Sequence, residues 1–445
     1  MSIVKNTDHL GQEPISKLLR NLAIPASTAM FVNALYNIVD TIFVGRLVGW
    51  KGIAALAIAN PVQMILLALG QIFGIGAASV ISRALGANNH EKANKAAGNA
   101  YAGGIIISVL AALIGTLLMN EILTLFGASS DILPYAYDYL IIILPFCIFK
   151  TLSVISNNLI RSEGNAKMAM ITMASGALVN IILDPIFIYF LDLGIQGAAI
   201  ATVLAQAVSA LISFLYLKSP KGSIKLSFNY LKIDLELIKT IITIGIPSFF
   251  RQAGASVLAI VLNNLLGIYG DIYISIYGII LKITNFTLMP VLGIFQGMSP
   301  ILGYNFGAKK YHRVKEVISL ARKSGMLIMF IAMIIIEIFP STIISVFTDD
   351  QTLITNGLPF VRIFFLSYWI IPLNMSGSNS FQAMGKGRKA LFTALLRQFL
   401  VLIPVLLISF KLFGLYGIYI SFPISDFIAS SISNYLITKE LRELF

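Results

Sequence analysis

Charge is scarce in this chain. Only 12% of its 445 residues are charged and 57% are hydrophobic, against about a quarter charged in a soluble domain. With a mean hydropathy of +0.86, a soluble fold is excluded as the first reading. Cysteine is nearly missing: the single Cys147, in an apolar run, leaves no disulfide framework and no Cys-based metal site. The three histidines, His9, His90 and His312, stand far apart in polar stretches. No zinc pattern and no catalytic triad can be built from them, and no other enzymatic constellation appears. No GxxxxGK(S/T) pattern occurs, so nothing suggests ATP hydrolysis or a bound cofactor. The N-terminal "MSIVKNTDHLGQEPISKLLRN" is polar and lacks an apolar leader core, so no cleaved signal peptide is expected.

What is present is lipid-compatible sequence. An apolar stretch of about 18 or more residues reads as a membrane helix. Twelve such segments are predicted, near 18–45, 53–80, 94–119, 136–159, 166–190, 195–217, 238–266, 273–303, 317–346, 356–383, 390–410 and 415–437. The basic residues set their orientation. The N-terminal tail, every second loop and the C-terminal end carry twenty-four of the 32 Lys and Arg, whereas the alternate loops carry only Arg46, Lys51 and Lys411. Basic residues collect on the cytoplasmic side, so both termini are expected there and the span count is even. The net charge of +12 is then topology signal, and no nucleic-acid partner is expected.

The two halves resemble each other. "LAIPASTAMF" (22–31) answers "IGIPSFFRQA" (244–253), and "GQIFGIGAASVISRALGANNHEKANKA" (70–96) answers "GIFQGMSPILGYNFGAKKYHRVKEV" (293–317). "SEGNAKMAM" (162–170) pairs with "QAMGKGRKAL" (382–391), and "LGIQGAAIAT" (193–202) with "FGLYGIYISF" (413–422). The fold class expected is all-α, twelve transmembrane helices in two six-helix repeats. Six is even, so both repeats enter from one side and their axis runs along the membrane normal, an architecture typical of secondary transporters. The expected division is an N-terminal lobe 1–217, a basic cytoplasmic linker 218–237 and a C-terminal lobe 238–445.

A charge at mid-bilayer costs about 2.5–3.5 kcal/mol on insertion scales, so each needs a reason. The first half holds Asp40 and Asp184, the latter inside "LVNIILDPIFIY". At ~1.5 Å per residue, Asp40 lies about 9 Å below Arg46 at the outer edge, and Asp184 and Thr202 each lie about 12 Å below that edge. Asn180 is one turn from Asp184 on the same face. Asn33, Tyr36, Asn37 and Asp40 form a second polar stripe at helical spacing. Pro25 and Pro185 each free a carbonyl and allow a bend. In the second half Asp40 falls on or beside Leu262, and Asp184 on Ile403, with the proline kept as Pro404. The sister repeat is built without these acids, which favours ion coupling over polar packing. Two close carboxylates hold a proton or a cation between them. Asp, Asn and Thr oxygens suit Na⁺ as well as the acids suit H⁺.

The second half's charges have plainer readings. Asp426 is expected to pair with Arg251 or Lys282. Lys150 and Glu337 are read as cavity residues or partners of polar groups, and Arg362 and Arg397 as snorkelling at span ends. Phe286, Met289, Phe295 and Met298 are candidates to line a cleft for soft, promiscuous binding.

With "IPASTAMFVNALYNIVDTIFVGRL", "GIGAASVISRALGAN", "RSEGNAKMAM" and "VNIILDP" in these positions, the chain resembles the multidrug and toxic compound extrusion (MATE) family of antiporters over nearly its whole length. The resemblance implies two lobes around a central cleft, in a cell-membrane monomer. It also implies efflux of small lipophilic, often cationic compounds against inward H⁺ or Na⁺. It is closest to the branch whose coupling site lies in the N-terminal lobe, matching Asp40, Asn180, Asp184 and Thr202, with Tyr36 and Asn157 or Asn158 nearby. A second branch uses carboxylates in the seventh and tenth helices, and the segments 238–266 and 356–383 contain none. A lipid or oligosaccharide flippase of the wider superfamily is the alternative.

Overall fold

The computed structural model describes residues 7–444. These residues are helical, with no strand among them, as expected where lipid offers no partner for free backbone groups. Eleven helices are long and apolar enough to span a bilayer: α1 (Ile15–Leu47), α2 (Trp50–Gly86), α3 (His90–Leu117), α5 (Ala166–Phe190), α6 (Gly194–Lys218), α7 (Leu235–Gly267), α8 (Asp271–Gly307), α9 (Tyr311–Ile338), α10 (Gln351–Ala383), α11 (Gly387–Phe413) and α12 (Leu415–Arg442). The remaining one, α4, is a pair, Leu133–Ile143 and Cys147–Ser162, bent by 58°. Pro145 sits in the break. It lacks the N–H that a continuous helix needs there. Counted as one span, α4 brings the total to the twelve predicted. Two short helices repeat the symmetry between spans, Met119–Leu125 after α3 and Pro340–Ser345 after α9.

The chain packs as two compact units. One holds Thr28–Gly245 and the segment ending at Gln12; the other holds Glu13–Ser27 and Ile246–Phe445. The boundaries therefore fall inside α1 and α7, each of which contributes its first half to the other repeat's unit. Glycines make both exchanges possible. In the first unit a Cβ on Gly76 would meet the Ile241 carbonyl, and one on Gly245 the Ile72 carbonyl. In the second unit a Cβ on Gly293 would meet Ser27, and one on Gly297 the Ala23 backbone. Small residues let membrane helices approach this closely.

The first unit's core is aliphatic and small, built on Ala55, Ala59, Ala136, Ala198 and Ala199 around Tyr139. In the second, Phe360 stacks on Tyr419 at 4.2 Å between ring centres and Phe364 lies 4.6 Å from Phe422. Both units carry a π-helical stretch next to a proline: Ile186–Phe190 after Pro185, and Leu396–Leu402 before Pro404. A proline that removes an intrahelical bond favours such a widened turn.

The predicted linker is not a free strand. Ser223 N and Ile224 N donate to Glu163 Oε2 at 2.7 and 3.2 Å. Lys225 N donates to Asn94 Oδ1 and Asp234 N to Asn99 Oδ1, both at 2.8 Å. Glu163 is buried, and that burial pushes its carboxyl above the usual glutamate range while Tyr216 and the two amides pull it back.

Candidate functional site

The first unit brings four predicted residues together. Asp40 comes from α1, Asn180 and Asp184 from α5, and Thr202 from α6. Asp184 and Asn180 are 0% and 1% exposed. At i,i+4 on one helix face, Asn180 Nδ2 donates to Asp184 Oδ1 at 3.1 Å. The Asp40 and Asp184 carboxylates interact side chain to side chain, and both act on the Tyr36 ring oxygen. The Tyr139 hydroxyl, from the first helix of α4, lies close enough to Thr202 and Asp40 to interact with both.

The satisfaction of these groups is one-sided. Asp40 Oδ1, Asn180 Oδ1 and Asp184 Oδ2 are buried and have no hydrogen-bond donor. Buried polar atoms are almost always partnered, and a missing partner costs about 1–3 kcal/mol each. Three acceptors without donors, contributed by two carboxylates and an amide, match what a proton or a hard, oxygen-preferring cation supplies. Among the described residues no cluster of three or more His, Cys, Asp or Glu could hold a metal ion.

The other predicted residues scatter. On α1, Asn33 and Asn37 are exposed, and Asn37 Nδ2 bonds the Asn33 carbonyl at 2.6 Å. Tyr36, on the face with Asp40, is partly buried. Asn157 is buried against α5, donating to Ala169 O at 2.7 Å and Thr172 Oγ1 at 3.1 Å. Those partners lie about 12–16 Å along α5 from Asn180. Asn158 bonds the Val154 carbonyl at 2.8 Å and receives Arg161 at 3.3 Å. Phe286 is 64% exposed and Met289 partly so, but Phe295 and Met298 are buried core. The last two are packing residues, not lining.

Charge pairing in the second unit corrects the expectation from sequence. Asp426 accepts from Arg397 Nε at 2.7 Å and from Ser367 Oγ at 2.9 Å. Its partner is therefore neither Arg251 nor Lys282. Arg251 reaches Ser248 Oγ at 3.2 Å, and Lys282 lies over the Phe347 ring at 5.9 Å. Arg397 does not snorkel. It sits in the π-helical stretch of α11, where a wider turn re-aims side chains relative to a regular helix. Sequence reasoning also missed Gln63 and Tyr139. Gln63, an amide in an apolar span, was the visible signal.

The family model described as MatE matches the chain twice, over residues 25–186 and 247–408. Both matches start on a proline inside a helix, Pro25 and Pro247, as the internal repeat requires. The multidrug export protein MepA of Staphylococcus aureus (strain MRSA252) is 30% identical over 415 residues, covering 93% of this chain and 92% of the relative. MepA of Staphylococcus saprophyticus is 29% identical over 429 residues, covering 96% and 94%. Among solved structures, the outward-facing conformation of a multidrug resistance MATE family transporter of the MOP superfamily superposes with a TM-score of 0.92. It shows 25% identity, over 98% of each chain.

Proposed function

The chain belongs to the MATE family, and we propose that it is a multidrug efflux antiporter that exports small lipophilic, often cationic compounds in exchange for inward H⁺ or Na⁺. The efflux reading rests on the whole-length likeness to multidrug export proteins. The coupling reading rests on a single observation: three donorless buried oxygens converge on Asp40, Asn180 and Asp184.

The chemistry follows from the cost of charge. Two carboxylates in a low-dielectric interior cannot both ionise cheaply, so the pair takes up a cation from the side it faces. Binding neutralises the site and removes the penalty that opposes its movement through the membrane. Asp184 precedes Pro185 and the π-helical turn, where the backbone is already released from regular helix and is able to bend. One charge carried down 100 mV supplies about 2.3 kcal/mol, enough to bias cargo release by more than tenfold.

The test is ethidium efflux from proteoliposomes with Na⁺ and pH gradients set independently. Uphill efflux should collapse with one gradient and survive loss of the other, which names the ion. Asp40→Asn and Asp184→Asn should each abolish uphill efflux while expression and folding stay near the parent's. Either variant exporting dye like the parent would overturn the site. Movement of labelled lipid without any dye efflux would instead favour a flippase.

A further inference from the structure

Lys150 is a charged side chain inside α4 that the coupling reading does not use. It is partly buried, and among the described residues no carboxylate lies within ion-pair distance of it. Its hydrogen-bond partner among the described residues is an amide: Lys150 Nζ donates to Gln63 Oε1 at 3.1 Å. Gln63 Nε2 in turn donates to the Tyr139 hydroxyl at 3.1 Å. That hydroxyl sits against α6, where Tyr139 packs with Ala199 and Val203 on either side of Thr202, within electrostatic reach of Thr202 and Asp40. Four side chains from α2, α4 and α6 thus run in series to the coupling site.

The direction of every bond in the series is set by its far end. An ammonium has three donors and no acceptor. It compels the Gln63 amide to present oxygen, because the flipped amide would set NH₂ against NH₃⁺. The amide nitrogen is then left for Tyr139, whose oxygen accepts. Tyr139 must therefore give its own proton to the opposite side, toward Thr202 and Asp40. We infer that Lys150 is a positioning residue for the coupling site, acting through Gln63 to hold the Tyr139 hydroxyl as a donor toward Thr202 and Asp40. This rests on the coupling reading above. A fixed donor stabilises the anionic site when its cation departs, and so speeds release on the far side of the cycle.

Proteoliposomes carrying the full chain test this with ethidium as cargo and the driving gradient that supports the parent. Without the ammonium, the Gln63 amide is free to flip and take the Tyr139 proton. Lys150→Met should cut maximal uphill efflux about tenfold, the scale of losing a hydrogen bond to a charged group, with ethidium KM unchanged. Lys150→Arg should restore it, being donor-only as well. The double variant Lys150→Met with Gln63→Leu should outperform Lys150→Met alone, since Tyr139 then has no acceptor except the coupling site. A structural or purely electrostatic role for Lys150 predicts the double to be no better. Should Lys150→Met fail to fold, Gln63→Glu reads the same polarity: a carboxylate accepts from both neighbours and turns the Tyr139 proton away. Parental efflux in Lys150→Met or Gln63→Glu, or a double no better than the single, overturns the inference. Asp40→Asn in the same assay separates the two readings. If it exports like the parent, the coupling site falls and the inference with it. If it is dead while Lys150→Met is intact, only the inference falls.

Discussion

The two units solve the problem of a buried acid in opposite ways. In the first, Asp184 and Glu163 are buried against neutral partners or another acid: Asn180 and Asp40 for one, Tyr216 and the backbone amides of residues 223 and 224 for the other. In the second, Asp426 is held by Arg397, and Glu440, 2% exposed, by Lys386 and Lys389. The helical framework is shared, down to a π-helical stretch beside a proline. The difference lies in whether each carboxylate's charge is already compensated. An acid compensated by a base is finished structure; of the uncompensated ones, Glu163 accepts from two backbone amides, and the Asp40–Asp184 pair is the one for which we propose a cation. Asymmetry between repeats is therefore more informative here than the symmetry that defines the fold.

Breaking the compensated pair should have the largest effect on stability. Arg397→Met leaves Asp426 buried with Ser367 as its remaining partner, and loss of one member of a buried pair costs about 3–5 kcal/mol. Detergent-solubilised protein should melt well below the parent. Adding Asp426→Asn should recover most of that loss, because the stranded charge is gone. A double variant as unstable as the single would mean that packing, not charge, holds this corner.

The uncompensated pair should respond in the reverse sense. Asp184→Asn removes a charge that nothing neutralises, so its melting temperature should equal or exceed the parent's, while coupled efflux is lost. Stability falling by several kcal/mol would place Asp184 beside Asp426 as a structural acid, and the contrast between the units would disappear.

The glycine crossings sharpen the shared part of the comparison. Gly245→Ala drives a methyl into the Ile72 carbonyl, a backbone atom fixed in α2. Gly293→Ala meets Ser27 first at its hydroxyl, which can rotate away, and then at its backbone nitrogen. Overpacking costs about 1–3 kcal/mol. Both variants should be destabilised by thermal melt, Gly245→Ala the more. Equal and negligible shifts would show that the exchanged halves of α1 and α7 are loosely packed.

Much of this was legible in the sequence. Hydropathy and alternating basic loops gave the spans, because lipid enforces both patterns on every helix. Asp40, Asp184 and Thr202 could be placed near one level, with Asn180 one turn away, because each lies only two or three turns from an outer edge, too short a run for the one widened turn at Ile186–Phe190 to spoil the count. The Asp426 pairing was not legible, because depth counting assumes an even helical turn, and the π-helical stretch at Leu396–Leu402 breaks that count. Nor was the series through Gln63 and Tyr139. Its members lie on three helices, and only the packing of α2 against the bent α4 brings them together. Asn157 was named from resemblance and faces Ala169 instead, since a match of residue type carries no rotation about the helix axis.

Glu163 offers the smallest and most specific test of the contrast. Its carboxyl lies above the usual glutamate range because burial disfavours the charged form. An acid whose folded value is raised binds its proton more tightly when folded, so its contribution to stability is greatest at low pH and declines as pH rises through the folded value. Glu163→Gln imitates the protonated form and keeps an oxygen for the Ser223 and Ile224 amides. It should match the parent's stability in acid and exceed it slightly at neutral pH, by less than about 1 kcal/mol, read as a small rise in melting temperature. Glu163→Ala should instead melt lower at every pH, because two buried amides lose their acceptor at roughly 1–3 kcal/mol each. If Glu163→Gln were destabilised at neutral pH, the carboxylate's charge would be contributing there, and some cationic partner would have to compensate it as Lys386 and Lys389 compensate Glu440.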